Sequence, residues 1–142
     1  MMFAKIVFNS HEYLTSLTLR KNILRLPLGK TLSHSDTCND DQQLHFGMFN
    51  ESELVACVVI NPLNQSKVKL RQMAVCNGYQ GQDIGRRLIN ETEITLQQKG
   101  FNSIELNARK VALGFYEKLG YVTEGGYFLE NGIEHIKMMK RL

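Results

Sequence analysis

The chain has 142 residues, 43% of them hydrophobic and 22% charged, the make-up of one soluble domain with enough apolar side chain for its own core. Two prolines and no low-complexity tract argue against a collagenous or disordered chain. The longest apolar stretches, such as Leu54 to Ile60, fall far below the roughly 20 residues of a membrane-spanning helix. The net charge is only +3, and lysine and arginine are scattered instead of forming the stripe that tracks a phosphate backbone. A single domain over residues 1–142 is expected, cytoplasmic, with neither nucleic acid nor membrane as partner. Cys38, Cys57 and Cys76 are odd in number and lack metal-type spacing, so no disulfide and no metal are expected.

Phe3 to Phe8 reads as a short strand, and Ser10 is placed to cap a helix from about His11, with Leu14, Leu17, Leu19, Ile23 and Leu24 at roughly helical intervals and Pro27 and Gly29 as a stop or kink. Thr31 to Gln43 is polar and reads as a surface loop. Leu44 to Phe49 and Glu53 to Ile60 flank Asn50-Glu51-Ser52 as a hairpin, and Lys67 to Cys76 is the next strand. In that strand Val68, Leu70, Gln72 and Ala74 fall on one side by alternation, while Met73 and Val75 are apolar on the other. Gln82 to Lys99 carries a broad helical stripe of Ile84, Leu88, Ile89, Ile94 and Leu96, with Gly100 as its C-cap. A strand around Ile104 and Leu106, a helix from Ala112 to Leu119 stopped by Gly120, and strands at Tyr121 to Thr123 and Ile133 to Met139 complete the chain. Gly125-Gly126 and Asn131-Gly132 mark turns or bulges. The fold class is α/β, with a mixed central sheet and flanking helices.

The most informative segment is Gln80-Gly81-Gln82-Asp83-Ile84-Gly85-Arg86-Arg87, set between a strand and a long amphipathic helix. Backbone amides at a helix start lack intrahelical acceptors and can receive a pyrophosphate, and small residues let it approach. The dinucleotide fingerprint is absent, and Gly29-Lys30-Thr31 lacks the preceding glycine of a P-loop.

Arg71-Gln72-Met73-Ala74-Val75 together with the segment from Gln80 resembles motif A of the GCN5-related N-acetyltransferases. Asn107-Ala108-Arg109 and the run from Ala112 to Tyr121 resemble the following motif B, and Phe128 to His135 resembles the small bacterial ElaA-like branch. The resemblance implies the fold of that family, with acetyl-CoA bound beside a splayed pair of central strands. It implies main-chain contacts from Met73 and Val75 to pantetheine, and amides around Gln80, Gly81, Gln82, Asp83, Ile84 and Gly85, with Arg86, holding the pyrophosphate. Asp83 stands where the family usually has glycine. It either stabilises the helix start while facing solvent or weakens phosphate binding by repulsion.

Acetyl transfer from a thioester to an amine needs a neutral nucleophile, stabilisation of oxyanion charge and a proton for the departing thiolate. A main-chain amide near Ala74 or Val75 is the candidate for the second need. The resemblance makes Tyr116, also beside the cofactor, the candidate acid, against a reading as a packed core aromatic. His45 and His135 are the candidate bases, each balanced by a plain sheet role, with water as a third route. Asn107 either contacts the cofactor or anchors a strand end or helix start. Arg109 and Lys118 meet cofactor phosphates or serve the surface. Arg20, Asp40 and Asp41 are candidates to shape the acceptor pocket. The expected activity is direct transfer of acetyl to a primary amine on a small molecule of unspecified identity, the alternative being a non-catalytic acyl-CoA-binding or regulatory module. The terminal strands either cover an open edge within the chain or pair across a homodimer.

Overall fold

A computed structural model describes all of residues 1–142. One seven-stranded mixed sheet runs through them: β1 (Met2–Ile6), β2 (Leu44–Asn50), β3 (Glu53–Pro62), β4 (Lys67–Val75), β5 (Ser103–Arg109), β6 (Val122–Glu130) and β7 (Ile133–Arg141), in the order β1-β2-β3-β4-β5-β7-β6. Helix α1 (His11–Arg20) packs on β3 and β4, and α3 (Ile84–Gln98) packs on β2, β3 and β4. Two short helices, α2 (His34–Thr37) and α4 (Leu113–Lys118), complete the helical set. No helix is long and apolar enough to cross a membrane.

Local chemistry accounts for most boundaries. Ser10 caps α1 by accepting from the Tyr13 amide at 3.2 Å. After Arg20 the helix widens into a π-helical turn, Lys21–Arg25, then tightens over Leu26–Leu28 before Gly29 takes a left-handed φ of 70°. The β2–β3 hairpin closes through Glu51 and Ser52, with Asn50 paired to Glu53. Helix α3 starts at Ile84, two residues later than its sequence pattern suggests, because Asp83 itself is left-handed at φ 70°. The pair Gly125-Gly126 does not end the sixth strand. It sits in a bulge between Glu124 and Phe128, and β6 continues to Glu130. β7 inserts between β5 and β6, leaving β6 at the edge with all nine residues exposed.

Two apolar clusters lie on either side of the sheet. The larger joins α3 to Phe46, Met48, Val68, Leu70, Ile104, Leu106, Ile136 and Met138; the smaller joins Tyr13 and Leu19 of α1 to Ile6, Leu54, Cys57 and Ala74. Ala74 thus lies on the opposite side from Val68 and Leu70, contrary to simple alternation. The cause is a bulge in β4: Cys57 pairs with Ala74 but Val59 pairs with Arg71, so Gln72 and Met73 together oppose Val58, and Gln72 adopts φ 48°. One extra residue exchanges the two faces of the strand beyond it.

The polar segment before β2 is more deeply built than a surface loop. Asp40 is fully buried against the fully buried Arg20, with Nη1 to Oδ2 at 2.7 Å, and Tyr13 Oη donates to the same oxygen at 2.6 Å. Arg20 Nε also donates to Gln72 Oε1 at 2.7 Å, and Gln72 Nε2 donates to the Asp36 carbonyl at 3.0 Å. The bulge is therefore clamped from α1 on one side and from the α2 segment on the other. Asp41, by contrast, is exposed.

Candidate active site at the parting of two strands

Strands β4 and β5 are parallel and pair only from Lys67–Ser103 to Lys69–Glu105. Beyond that point they separate, and a cleft of about 330 Å³ opens between them. Its walls include Arg71, Gln72 and Met73 of β4, Asn107 and Arg109 of β5, Phe115 and Tyr116 of α4, and Glu130 and His135 from the terminal hairpin. On β5 the core takes Ile104, Leu106 and Ala108, so the alternate residues Glu105, Asn107 and Arg109 project to the other face.

Tyr116 is held at the cleft by edge-to-face contacts with Phe115 and Tyr121, at ring-centroid distances of 5.1 and 5.7 Å. Burial pushes its hydroxyl up to about 12, opposed by the neighbouring Arg109 cation. No protein group hydrogen-bonds this oxygen, yet it is not a sealed, unsatisfied atom, so it opens on the cleft. A phenol of this kind keeps its proton at neutral pH and is free to donate it.

His135 sits opposite Arg109 in the β5–β7 ladder and is 5% exposed. Its Nδ1 lies 2.8 Å from the Ile133 carbonyl, which can only accept, so in the neutral ring Nδ1 carries the hydrogen and Nε2 is left basic. Glu130 Oε2 lies 3.5 Å from that Nε2, and the Phe128 ring stacks on the imidazole at 6.1 Å.

His45 is placed differently. It is not part of the cleft wall: it is 3% exposed, its Nε2 is bonded to the Asp40 carbonyl at 2.8 Å, and the Tyr13 ring meets its edge at 5.3 Å. Burial lowers its basicity. The structure therefore separates the two histidines, with His135 lining the same cleft as Tyr116 and His45 in the buried Arg20–Asp40 network. Asn107 lines the cleft and reaches Glu130 Oε1 at 3.5 Å. It caps no helix, since the following helical turn begins after Arg109 with no side-chain cap.

The loop from Cys76 to Asp83 leads to the N-terminus of α3, where the amides of Ile84, Gly85 and Arg86 have no intrahelical acceptors. Gly81 is left-handed, and a Cβ built there would meet nothing within 4 Å. Gly85 is packed, with Phe115, Met73 and Val75 within 3.7 Å of the position a Cβ would take. Free amides, an open approach and a glycine wedged beside Met73 fit a pyrophosphate and its pantetheine arm. The side chains of this segment are already engaged: Gln80 Nε2 donates to the Val75 carbonyl at 3.1 Å, and Gln82 Nε2 to the Gly78 carbonyl at 2.8 Å. Asp83 faces solvent and makes no capping bond; its carboxylate accepts from Arg86, with Nε to Oδ1 at 2.7 Å and a second contact from Nη2 to Oδ2. The hydrogen bonds from Arg86 hold this carboxyl below its usual range. Met73 is one of the two bulge residues, Ala74 is buried and paired across to Cys57, and Val75 is the last residue of β4.

Sequence reasoning did not single out Gln72, Arg25, Asp36 or Glu130. Arg25 closes the cleft from the π-helical turn, donating Nε and Nη2 to the two Asp36 oxygens at 3.2 and 2.9 Å. Against burial, which would raise it, the bonds from Arg25 and the Ser33 amide hold the Asp36 carboxyl down to about 2. No pattern in the sequence marks that pair. Glu130 had a local signal in its place next to the Asn131-Gly132 turn, five residues from His135. Cys57 is buried and its thiol is pushed up to about 12 by that burial, and Cys76 is a free, half-buried cysteine.

Comparison with known proteins agrees with this architecture. The family model described as "Acetyltransferase (GNAT) domain" matches residues 10–142. The uncharacterized N-acetyltransferase YitI of Bacillus subtilis is 35% identical over 105 residues, covering 69% of this chain and 70% of that protein. Escherichia coli ElaA superposes with a TM-score of 0.83 at 21% identity, over 99% of both chains. A GNAT family acetyltransferase from Elizabethkingia anophelis, solved with acetyl-CoA bound, superposes with a TM-score of 0.77 at 18% identity, over 99% of this chain and 97% of that one. With the fold and the sequence in accord, the chain belongs to the GNAT acetyltransferase family.

Proposed function

We propose that this chain is an acetyl-CoA-dependent N-acetyltransferase that acetylates a primary amine by direct attack. The observation that carries the reading is the pairing, across one cleft, of an unpartnered Tyr116 hydroxyl and a histidine whose Nε2 is left basic. Acetyl-CoA, when bound, supplies the activated acetyl thioester. The amides at the start of α3 bind its pyrophosphate, and the strand separation admits the pantetheine arm. His135 Nε2 removes the proton from the attacking amine as the carbon–nitrogen bond forms, and Glu130 steadies the resulting charge. Tyr116 gives its proton to the sulfur as the carbon–sulfur bond breaks, and the Arg109 cation eases the passing tyrosinate.

Calorimetric titration with acetyl-CoA, free CoA and desulfo-CoA, followed by thiol-release assays over an amine panel, tests the reading. Micromolar binding with amine-dependent release of CoA is the expected result. Binding without amine-dependent release would make the chain an acyl-CoA-binding module instead, a reading favoured by the Asp83 carboxylate and its hold on Arg86 at the phosphate cradle.

A further inference from the structure

The cleft carries an imbalance of charge that its own residues leave unresolved. Lys69, Arg71, Arg109 and Arg25 line it, against the carboxylates of Asp36 and Glu130. Arg25 and Asp36 neutralise each other through two hydrogen bonds. Of the remaining cations, Arg71 donates only to the neutral Gln43 amide at 2.8 Å, and Lys69 and Arg109 form no ion pair. The one carboxylate left, Glu130, is directed to His135 and Asn107.

Arg109 is the most telling of the three. It is half-buried, and its Nη2 donates to the Leu24 carbonyl at 3.1 Å, the same oxygen that Arg25 Nη1 reaches at 3.2 Å. Two guanidinium groups thus converge on one neutral oxygen; Arg25 is hydrogen-bonded to its counter-charge, whereas Arg109 feels the Glu130 carboxylate only through space, without an ion pair. Like charges so close in a partly desolvated cleft repel each other, and a bound anion removes that cost. The phosphates of CoA are not that anion on the reading above, since none of Gln80 to Arg86 belongs to the cleft wall. A planar fork of donors is matched geometrically by a carboxylate.

We propose that the acceptor is an amine that also carries a carboxylate, an amino acid in chemical class, with Arg109 as the specificity-determining residue that receives the carboxylate while the amine faces His135 and Glu130. The proposal rests on the acetyltransferase reading and is tested separately from it. The full-length protein is assayed for thiol release with pairs of amines that differ only in the carboxylate, L-lysine against cadaverine and L-phenylalanine against phenethylamine, with phosphoethanolamine against ethanolamine as a phosphate control. The expected result is that kcat/KM favours the carboxylate-bearing member of at least one pair by about tenfold or more, the loss expected when a charged hydrogen-bond partner is missing. Arg109→Gln should lower that ratio by about tenfold, chiefly through the KM of the amine, and Arg109→Lys should restore part of it. Both members of a pair pass through the same Tyr116 step, so the ratio is insensitive to any shared effect of Arg109 on turnover. Circular dichroism confirms folding of each variant, and should Arg109→Gln fail to fold, Arg71→Gln supplies the second variant, with a reduced ratio again expected.

Four results would overturn the proposal: equal or better use of the decarboxylated amines, a preference confined to phosphoethanolamine, no reaction with any carboxylate-bearing amine while acetyl-CoA binds, or an Arg109→Gln effect on acetyl-CoA affinity with the amine ratio unchanged. Failure of acetyl-CoA itself to bind would instead overturn the acetyltransferase reading.

Discussion

Asp83 shows how one residue can satisfy a backbone requirement and complicate an electrostatic one. The chain needs a left-handed residue before α3, with φ 70°; glycine adopts this freely, and aspartate is among the few others that tolerate it. The carboxylate comes with that choice and holds Arg86 in an ion pair at the start of α3. Asp83→Asn keeps the backbone tolerance and removes the charge, so it should bind acetyl-CoA several-fold more tightly in calorimetry, the order expected for one charge near a helix N-terminus. Unchanged affinity would mean that Arg86 takes no part in binding. On the proposed mechanism, Tyr116→Phe removes only the hydroxyl that donates the proton. Its turnover should fall by about 10²- to 10⁴-fold, the usual size of a lost general acid, while acetyl-CoA affinity stays within about threefold. Equal losses in both would make Tyr116 a packing residue.

At the scale of elements, the decisive feature is the bulge of β4. It turns Met73 and Val75 towards the main core and Ala74 towards α1, and β4 leaves β5 just short of it. The clamp on Gln72 runs back to the buried Arg20–Asp40 pair. Removing one member of such a pair strands a charge in the interior, so Asp40→Ala should cost about 3–5 kcal/mol in denaturant unfolding. The double change of Arg20→Met with Asp40→Leu should recover much of that loss, because two apolar side chains need no partner. If the single variant is as stable as wild type, the network is not what holds this part of the fold. The strand pattern over Lys67 to Cys76 was legible in the sequence, and so were the apolar Met73 and Val75 on the unexpected side. The extra residue responsible was not, because a bulge is fixed by pairing with Val58 and by contacts from residues 36 and 20, all distant in the chain.

For the whole molecule, the order of strands matters more than their sequence positions. β7 ends the chain yet lies inside the sheet, where Ile136 and Met138 enter the core and His135 meets Arg109. A chain ending at Asn131 would expose the β5 edge and leave β6 without a partner. It should lose cooperative unfolding and native circular dichroism together; a folded truncated chain would show that the first five strands are self-sufficient. Glu93 of α3 reinforces the same point, accepting from Tyr121 Oη at 2.8 Å and from Lys140 Nζ at 2.7 Å, so the last strand is tied to the central helix.

The sequence by itself determined what depends on neighbours along the chain. The Ser10 cap, the hairpin around Glu51-Ser52, the stripe of α3 and the motifs around Gln80 and Tyr116 all follow from spacing, propensity and local resemblance, and they suffice for the fold and the family. Tertiary structure alone decided which groups share a site. It buried His45 with Asp40 and brought His135 beside Arg109 and the Tyr116 cleft. It also turned a polar, apparently solvated segment into the seat of a fully buried aspartate. Local propensity acts over a few residues, whereas burial, ion pairing and strand separation are set by packing between segments far apart in the chain.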